Sequence, residues 1–125
     1  MLLAVVDDDE DVRRALERLL RSLGHTVHLF ASAEDFEARD VVVDCIILDV
    51  RLPGLSGPEL RERLRMRSLP IPVVLITGNS DPKAQEIAAA HDTPSLAKPF
   101  EAVTLMAAIA DAIESRGGAR SDRAF

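Results

Sequence analysis

Cys45-Ile46-Ile47-Leu48-Asp49 is an apolar run stopped by a carboxylate, and it decides the fold. So short a run, rich in Ile and without polar alternation, suits a strand covered on both faces of a parallel sheet. Residues 2–6 and 73–76 repeat the pattern, each rich in Val or Ile and bounded by Asp, Pro or Gly.

Between these runs the spacing turns helical. Val12, Leu16, Leu19, Leu20 and Leu23 recur at helical intervals, with Gly24 as the C-terminal stop. Val27, Leu29 and Phe30 suggest a second strand, after which Ser32 with Asp35 caps a short helix through about Ala38. Ser56-Gly57-Pro58-Glu59 is a capping-box pattern with Pro at the first helical position, opening a helix that carries Leu60 and Leu64. Asp81-Pro82 repeats the device before Ala84, Ile87 and Ala88, and a short fifth strand centres on Ser95-Leu96-Ala97. A last helix, from about Glu101 to Ser115, places Ala102, Met106, Ile109, Ala110 and Ile113 on one face. Strand and helix repeated in this way build a doubly wound α/β sheet by right-handed crossovers, with its ligand site at the carboxyl ends of the strands.

With 125 residues, 47% of them hydrophobic, the chain can bury one sizeable core. Its net charge of -6, from 21 acidic and 15 basic residues, argues against a polyanion as direct partner, so nucleic acid is excluded. Cys45 is the single cysteine, which rules out an internal disulfide or a multi-cysteine zinc site and suits a reducing compartment. Set among Ile and Leu, its thiol reads as buried and inert. No apolar stretch approaches the roughly 20 residues of a membrane span, and Met1–Val6 runs into Asp7-Asp8-Asp9 without a basic region or cleavage site. The expectation is a soluble, unprocessed protein.

The chemistry lies where the strands stop. Asp7, Asp8 and Asp9 follow the first strand, Asp49 the third, Thr77 the fourth and Lys98 the fifth, so four strand ends converge on one crevice. Carboxylates held about 4 Å apart repel by roughly 4 kcal/mol per pair at an effective dielectric near 20, and a cation must offset this. A hard, oxygen-liganded ion such as Mg²⁺ fits, and no His or Cys cluster competes for a softer metal. A carboxylate flanked by metal, lysine and hydroxyl is suited to accept a phosphoryl group as an acyl phosphate.

Val5-Val6-Asp7-Asp8-Asp9-Glu10, Leu48-Asp49-Val50-Arg51-Leu52-Pro53-Gly54, Ile76-Thr77-Gly78 and Leu96-Ala97-Lys98-Pro99-Phe100 together resemble the receiver (CheY-like) domains of two-component response regulators. The likeness spans about residues 2–115, and four motifs in the family's order and spacing are specific where any one would be weak. It implies a flavodoxin-like (βα)5 fold with a five-stranded parallel sheet in the order 2-1-3-4-5. Residues 1–116 would form the receiver domain, and 117–125 a flexible tail or the start of a linker.

The resemblance makes Asp49 the phosphorylated residue. Asp8 would ligate Mg²⁺ (or Mn²⁺ in its place) directly, Asp7 would act mainly through a metal-bound water, and the backbone carbonyl of Arg51 would be a further ligand. Thr77 would donate its hydroxyl to the phosphoryl group, Gly78 would leave room, and Lys98 would pair with another phosphoryl oxygen across a cis Lys98-Pro99 bond. A sensor histidine kinase or histidine phosphotransfer protein is the implied donor. An output domain or protein target is the implied reader, and a second copy could meet the face formed by the fourth helix, fifth strand and fifth helix. The chain would be a cytoplasmic switch and no enzyme beyond Mg-dependent self-phosphorylation from small donors and autodephosphorylation. Val50-Arg51 and Phe30-Ala31-Ser32-Ala33-Glu34 look like receivers that precede helix-turn-helix transcription factors.

Two departures stand out. Ser95 occupies the position of the family's switch aromatic, which removes the usual coupling, and Ala90-His91-Asp92-Thr93-Pro94 replaces the common Gly-Ala before the fifth strand. Alternatives are a phosphorylation-independent adaptor, a phosphate sink, or a small metal-dependent phosphatase, whose motif has a second Asp where Arg51 stands. Asp9 and Glu10 read as helix-capping acids, and His25, His28 and His91 as surface residues. Arg61, Arg63, Arg65 and Arg67, spaced by two, do not line one helix face, which suits a solvated helix, part of a kinase-docking surface, better than a DNA stripe.

Overall fold

The computed structural model describes residues 1–39, 42–66, 71–78, 82, 83, 86, 95–98 and 101–123. At its centre β1 (Leu2–Val6) lies between β2 (Thr26–Phe30) and β3 (Cys45–Asp49), with β4 (Val73–Thr77) beyond β3, all parallel. A short β5 (Ser95–Ala97) pairs with β4 at the edge, so the order is β2-β1-β3-β4-β5. β3 and β4 are buried at every position, as runs without polar alternation require. β2, at the opposite edge, exposes Thr26 and His28 while burying Val27 and Phe30.

Successive strand residues point to opposite faces, and each face has its own helices. Ala4, Val6, Ile46, Leu48, Val73 and Leu75 pack with Ala33 and Phe36 of α2 (Ala33–Arg39) and Leu60 and Leu64 of α3 (Gly57–Met66). Leu3, Val5, Cys45, Ile47, Val74 and Ile76 pack with Leu16 and Leu20 of α1 (Glu10–Ser22) and with Leu105 and Ile109 of the C-terminal helix (Ala102–Arg123). Each fully buried Leu or Ile contributes about 1.5–3 kcal/mol, so the two layers hold the strand ends in place from both sides. The result is a flavodoxin-like α/β fold with a parallel sheet.

The expected punctuation is largely where the sequence puts it. Gly24 follows α1, its N–H donating to the Arg21 carbonyl at 3.0 Å. The Ser32 hydroxyl caps α2 by accepting the Asp35 N–H at 3.0 Å. Ser56 and Glu59 form the reciprocal capping box, both bonds at 3.3 Å. Here Gly57 is the first helical residue and Pro58 the second, one place later than the pattern suggests, because Gly57 donates back to the Val50 carbonyl at 3.4 Å.

The C-terminal helix corrects the sequence reading twice. It buries Leu105, Ala108, Ile109 and Ala112 and exposes Ala110, because the larger Leu105 takes the core position over its small neighbours. Its backbone also stays helical past Ser115, through Gly117 and Gly118 to Arg123. Propagation adds one hydrogen bond per residue, against about 1 kcal/mol lost at each glycine relative to alanine. Leu23, placed on the apolar face by its spacing, is exposed where α1 ends. Most of the expected fourth helix (Asp81, Ala84, Ile87, Ala88), the 90–94 segment with His91, and Arg67, Pro99 and Phe100 lie outside the described residues. Among those described, no helix is long and apolar enough to cross a membrane.

Cys45 is fully buried in the second layer, and burial pushes its thiol up to about 12. Thiolate is the reactive form, so a thiol reagent at pH 8 should leave the native chain unmodified and label it fully in denaturant. Rapid labelling under native conditions would contradict this packing.

Candidate functional site: an acidic crevice at the strand ends

Backbone pairing continues just past the strands and fixes what stands there. The Asp7 N–H donates to the Phe30 carbonyl at 3.1 Å, Val50 N–H to Ile76 at 3.0 Å, and Lys98 N–H to Thr77 at 2.8 Å. Asp7, Asp49, Thr77 and Lys98 are thereby brought to one end of the sheet, and Asp8 stands beside Asp7 at the mouth.

One carboxylate oxygen each from Asp7, Asp8 and Asp49 lies within 4.8 Å of the others, a cluster that could hold a metal ion. Asp7 is 0% exposed and Asp49 7%, while Asp8 is open to solvent. Lys98 Nζ bridges the two buried acids, 3.2 Å from Asp7 Oδ2 and 3.8 Å from Asp49 Oδ2. Asp7 Oδ1 accepts the Asp9 N–H at 2.9 Å, and Asp49 Oδ1 the Arg51 N–H at 3.2 Å. Buried Thr77 donates its hydroxyl to the Leu96 carbonyl at 3.4 Å, a long bond that is readily exchanged for a better acceptor.

The charges are unbalanced. Burial, and next the Asp7 carboxylate, push Asp49 up to about 6, with a smaller push from Asp8. The Lys98 ammonium and the Arg51 N–H oppose this without cancelling it. A buried carboxylate facing two others and one ammonium gains from any added positive charge.

Several neighbours resolve as the plainer reading suggests. Asp9 caps α1 by accepting the Asp11 and Val12 N–H groups at 2.9 and 3.3 Å, and Glu10 pairs with Arg14 at 2.7 Å. His25 sits against the amino group of Met1 at 3.0 Å, at the other end of β1, and His28 is exposed. Arg63 pairs with Glu37 at 2.7 Å and Arg65 with Glu62 at 3.6 Å, as on a solvated helix.

Two contributors were not singled out from the sequence. Arg13 Nη1 donates to the Asp7 main-chain carbonyl at 2.7 Å, tying α1 to the first acid, and nothing in its spacing announces this. Gly57 lets α3 start directly against β3, since a Cβ there would collide with the Asp49 carbonyl oxygen. A glycine within a capping box was the available signal.

Comparison with known proteins shows the family. The family model "Response regulator receiver domain" matches residues 3–110. The chain is 38% identical over 113 residues to nodulation protein W of Bradyrhizobium diazoefficiens, covering 88% of this chain and 50% of that protein. It is 39% identical over 112 residues to the transcriptional regulatory protein FixJ of the same organism, covering 87% and 55% respectively. The chain thus spans about half the length of these curated relatives. Among solved structures, full-length FixJ from B. japonicum superposes with a TM-score of 0.82 at 35% identity, over 98% of this chain and 62% of that one. A receiver domain protein from Clostridium thermocellum gives a TM-score of 0.77 at 25% identity, over 93% and 96%. A parallel sheet that gathers three aspartates, a threonine and a lysine at its carboxyl ends, with a family match over most of its length, belongs to the response regulator receiver domains.

Proposed function

We propose that Asp49 is the phosphoacceptor of this receiver domain, and that its phosphorylation switches the binding of a partner. The observation that carries the reading is the raised, buried Asp49 carboxyl with the Lys98 ammonium 3.8 Å from it. An Asp49 oxygen forms a bond to phosphorus as the phosphorus–nitrogen bond of a donor phosphohistidine breaks and the imidazole takes up a proton. Lys98, now shared between Asp7 and Asp49, pairs with a phosphoryl oxygen. Thr77 exchanges its long bond to Leu96 for another phosphoryl oxygen. Hydrolysis of the acyl phosphate returns the free carboxylate, and a small acyl phosphate serves as an alternative donor, which makes the domain a switch with slow self-chemistry.

Mg²⁺, with Mn²⁺ as substitute, fits the donor set, because three hard carboxylate oxygens within 4.8 Å lack matching positive charge. Asp7, Asp8, Asp49 and the Arg51 carbonyl would hold it, and it would neutralise charge on the acids and the incoming phosphoryl group.

The reading extends to the fold around the site and to its partners. The full (βα)5 repeat of a receiver domain over residues 1–116 is supported by the short β5 that pairs with β4, with residues 117–125 as a tail or the start of a linker. A histidine kinase or phosphotransfer protein as donor and a cytoplasmic setting follow from family membership. Relatives named transcriptional regulatory proteins, matched over about half their length, favour transcriptional output over a phosphate sink. Homodimerisation through the face of the fourth helix, fifth strand and fifth helix belongs to the same proposal.

Intact-mass spectrometry with Mg²⁺ and acetyl phosphate should give one phosphoryl adduct that needs Mg²⁺ and disappears in Asp49→Ala. An adduct that persists in the variant would move the acceptor elsewhere, and no adduct with any donor would favour a phosphorylation-independent binding module.

A second expectation concerns pH. With its pKa raised from 3.8 to about 6 on folding, Asp49 keeps a proton in the folded chain that the unfolded chain releases. Stability therefore falls as pH rises through that window. In chelator, Asp49→Asn should exceed the wild-type in stability by about 3 kcal/mol at pH 7 and match it near pH 3. Urea unfolding at both pH values reads this directly, and a variant that is less stable at pH 7 would contradict it.

A further inference from the structure

The Phe30–Glu34 segment, marked out in the sequence only by its likeness to certain receivers, has a definite physical task. Phe30 ends β2 and meets Phe36 edge-on, with ring centroids 5.1 Å apart and planes at 84°, which seats α2 on the sheet. Ser32 caps the helix. Glu34 then points out of the first turn of α2 toward another element: its Oε2 accepts the main-chain N–H of Leu55 at 3.1 Å. Gly54, immediately before Leu55, has φ +74, and a Cβ there would collide with the same carboxylate oxygen. The turn is shaped so that the chain passes directly under Glu34. The Leu55 N–H is the largest influence holding the Glu34 carboxyl below its usual range.

This bond joins α2 to the segment between β3 and α3, which begins at the phosphoacceptor. The near end of that segment is held by the Arg51 N–H on Asp49 Oδ1 at 3.2 Å, and its far end by the Ser56–Glu59 box and the Gly57 N–H on the Val50 carbonyl at 3.4 Å. Leu52 packs into the layer beneath α2 and α3, and the Glu34 carboxylate adds a hydrogen bond at Leu55, next to the far end. α2 and α3 are also joined by Glu37–Arg63 at 2.7 Å, and the Arg63 charge is the smallest of the influences on the Glu34 carboxyl.

We infer that Glu34 is a positioning residue for the metal-binding site: its carboxylate clamps the segment of residues 50–55 and so holds the Arg51 peptide group where its carbonyl can join the three acids. The inference rests on the proposed site, and it adds a residue on a different helix that touches neither metal nor phosphoryl group. Losing the clamp should weaken cation binding while leaving the fold in place, because the Phe30–Phe36 contact and both helix caps remain. Gln retains a carbonyl oxygen able to accept the Leu55 N–H, and so should restore the function.

The test is titration of the full chain with Mg²⁺ alone by isothermal calorimetry, for wild-type, Glu34→Ala, Glu34→Gln and Arg63→Ala, with thermal unfolding of each in chelator. Glu34→Ala should weaken Mg²⁺ binding roughly three- to tenfold, the size expected from losing one solvent-exposed hydrogen bond that orders a ligand. Glu34→Gln should recover most of the loss, and Arg63→Ala should bind like wild-type. The Leu55 amide should exchange with solvent faster in Glu34→Ala than in wild-type. Wild-type affinity in Glu34→Ala, or an equal loss in Arg63→Ala, would overturn the clamp and leave the site reading intact. If the wild-type chain itself shows no saturable Mg²⁺ binding, the site reading falls and the clamp with it.

Discussion

The structure turns on a charge imbalance kept inside a folded protein. Asp49 is nearly buried beside the fully buried Asp7, with Asp8 at the mouth, and one lysine spans the first two. Burying like charges together is costly, and the fold tolerates it because each group is partly satisfied from its own backbone. Asp7 accepts the Asp9 N–H and Asp49 the Arg51 N–H. What remains unsatisfied is positive charge. A site in that condition favours added positive charge, and the acid cluster could hold a metal ion that supplies it.

The rest of the architecture keeps that imbalance in place. Parallel strands all end on the same side, so residues distant in sequence meet without any long loop being ordered for the purpose. Covering both faces with helices leaves the carboxyl ends of the strands as a wet edge of an otherwise apolar core. Arg13 from α1, Gly57 from α3 and Glu34 from α2 then fasten each neighbouring helix to the edge. The crevice is therefore fastened by three helices as well as by the strands that carry its acids.

Much of this was legible in the sequence, for a physical reason. A strand buried on both faces must be apolar throughout, so its end is marked abruptly by the first polar residue. Asp7, Asp49 and Thr77 are therefore visible as punctuation, and the acidic crevice sits at that punctuation. Helix caps are local, so Ser32, Ser56 and Glu59 were legible too. The contacts of Arg13 with Asp7 and of Glu34 with Leu55 depend on how helices sit against the sheet, and no spacing along the chain encodes them. The C-terminal helix was misjudged because a run rich in Ala patterns weakly, so that Leu105 and Ile109, once packed, choose the buried face. Its continuation past Gly117 depends on propagation from an already docked helix, while the sequence offers only a stop signal.

The most direct measurement is the titration of the Asp49 carboxyl carbon by NMR, in chelator and again in saturating Mg²⁺. A midpoint near 6 without the ion, falling well below the ordinary 3.8 when Mg²⁺ is added, is the expected result. A midpoint already at the ordinary value, unmoved by Mg²⁺, would mean that the acids carry no imbalance for a cation to relieve, and would contradict the central claim.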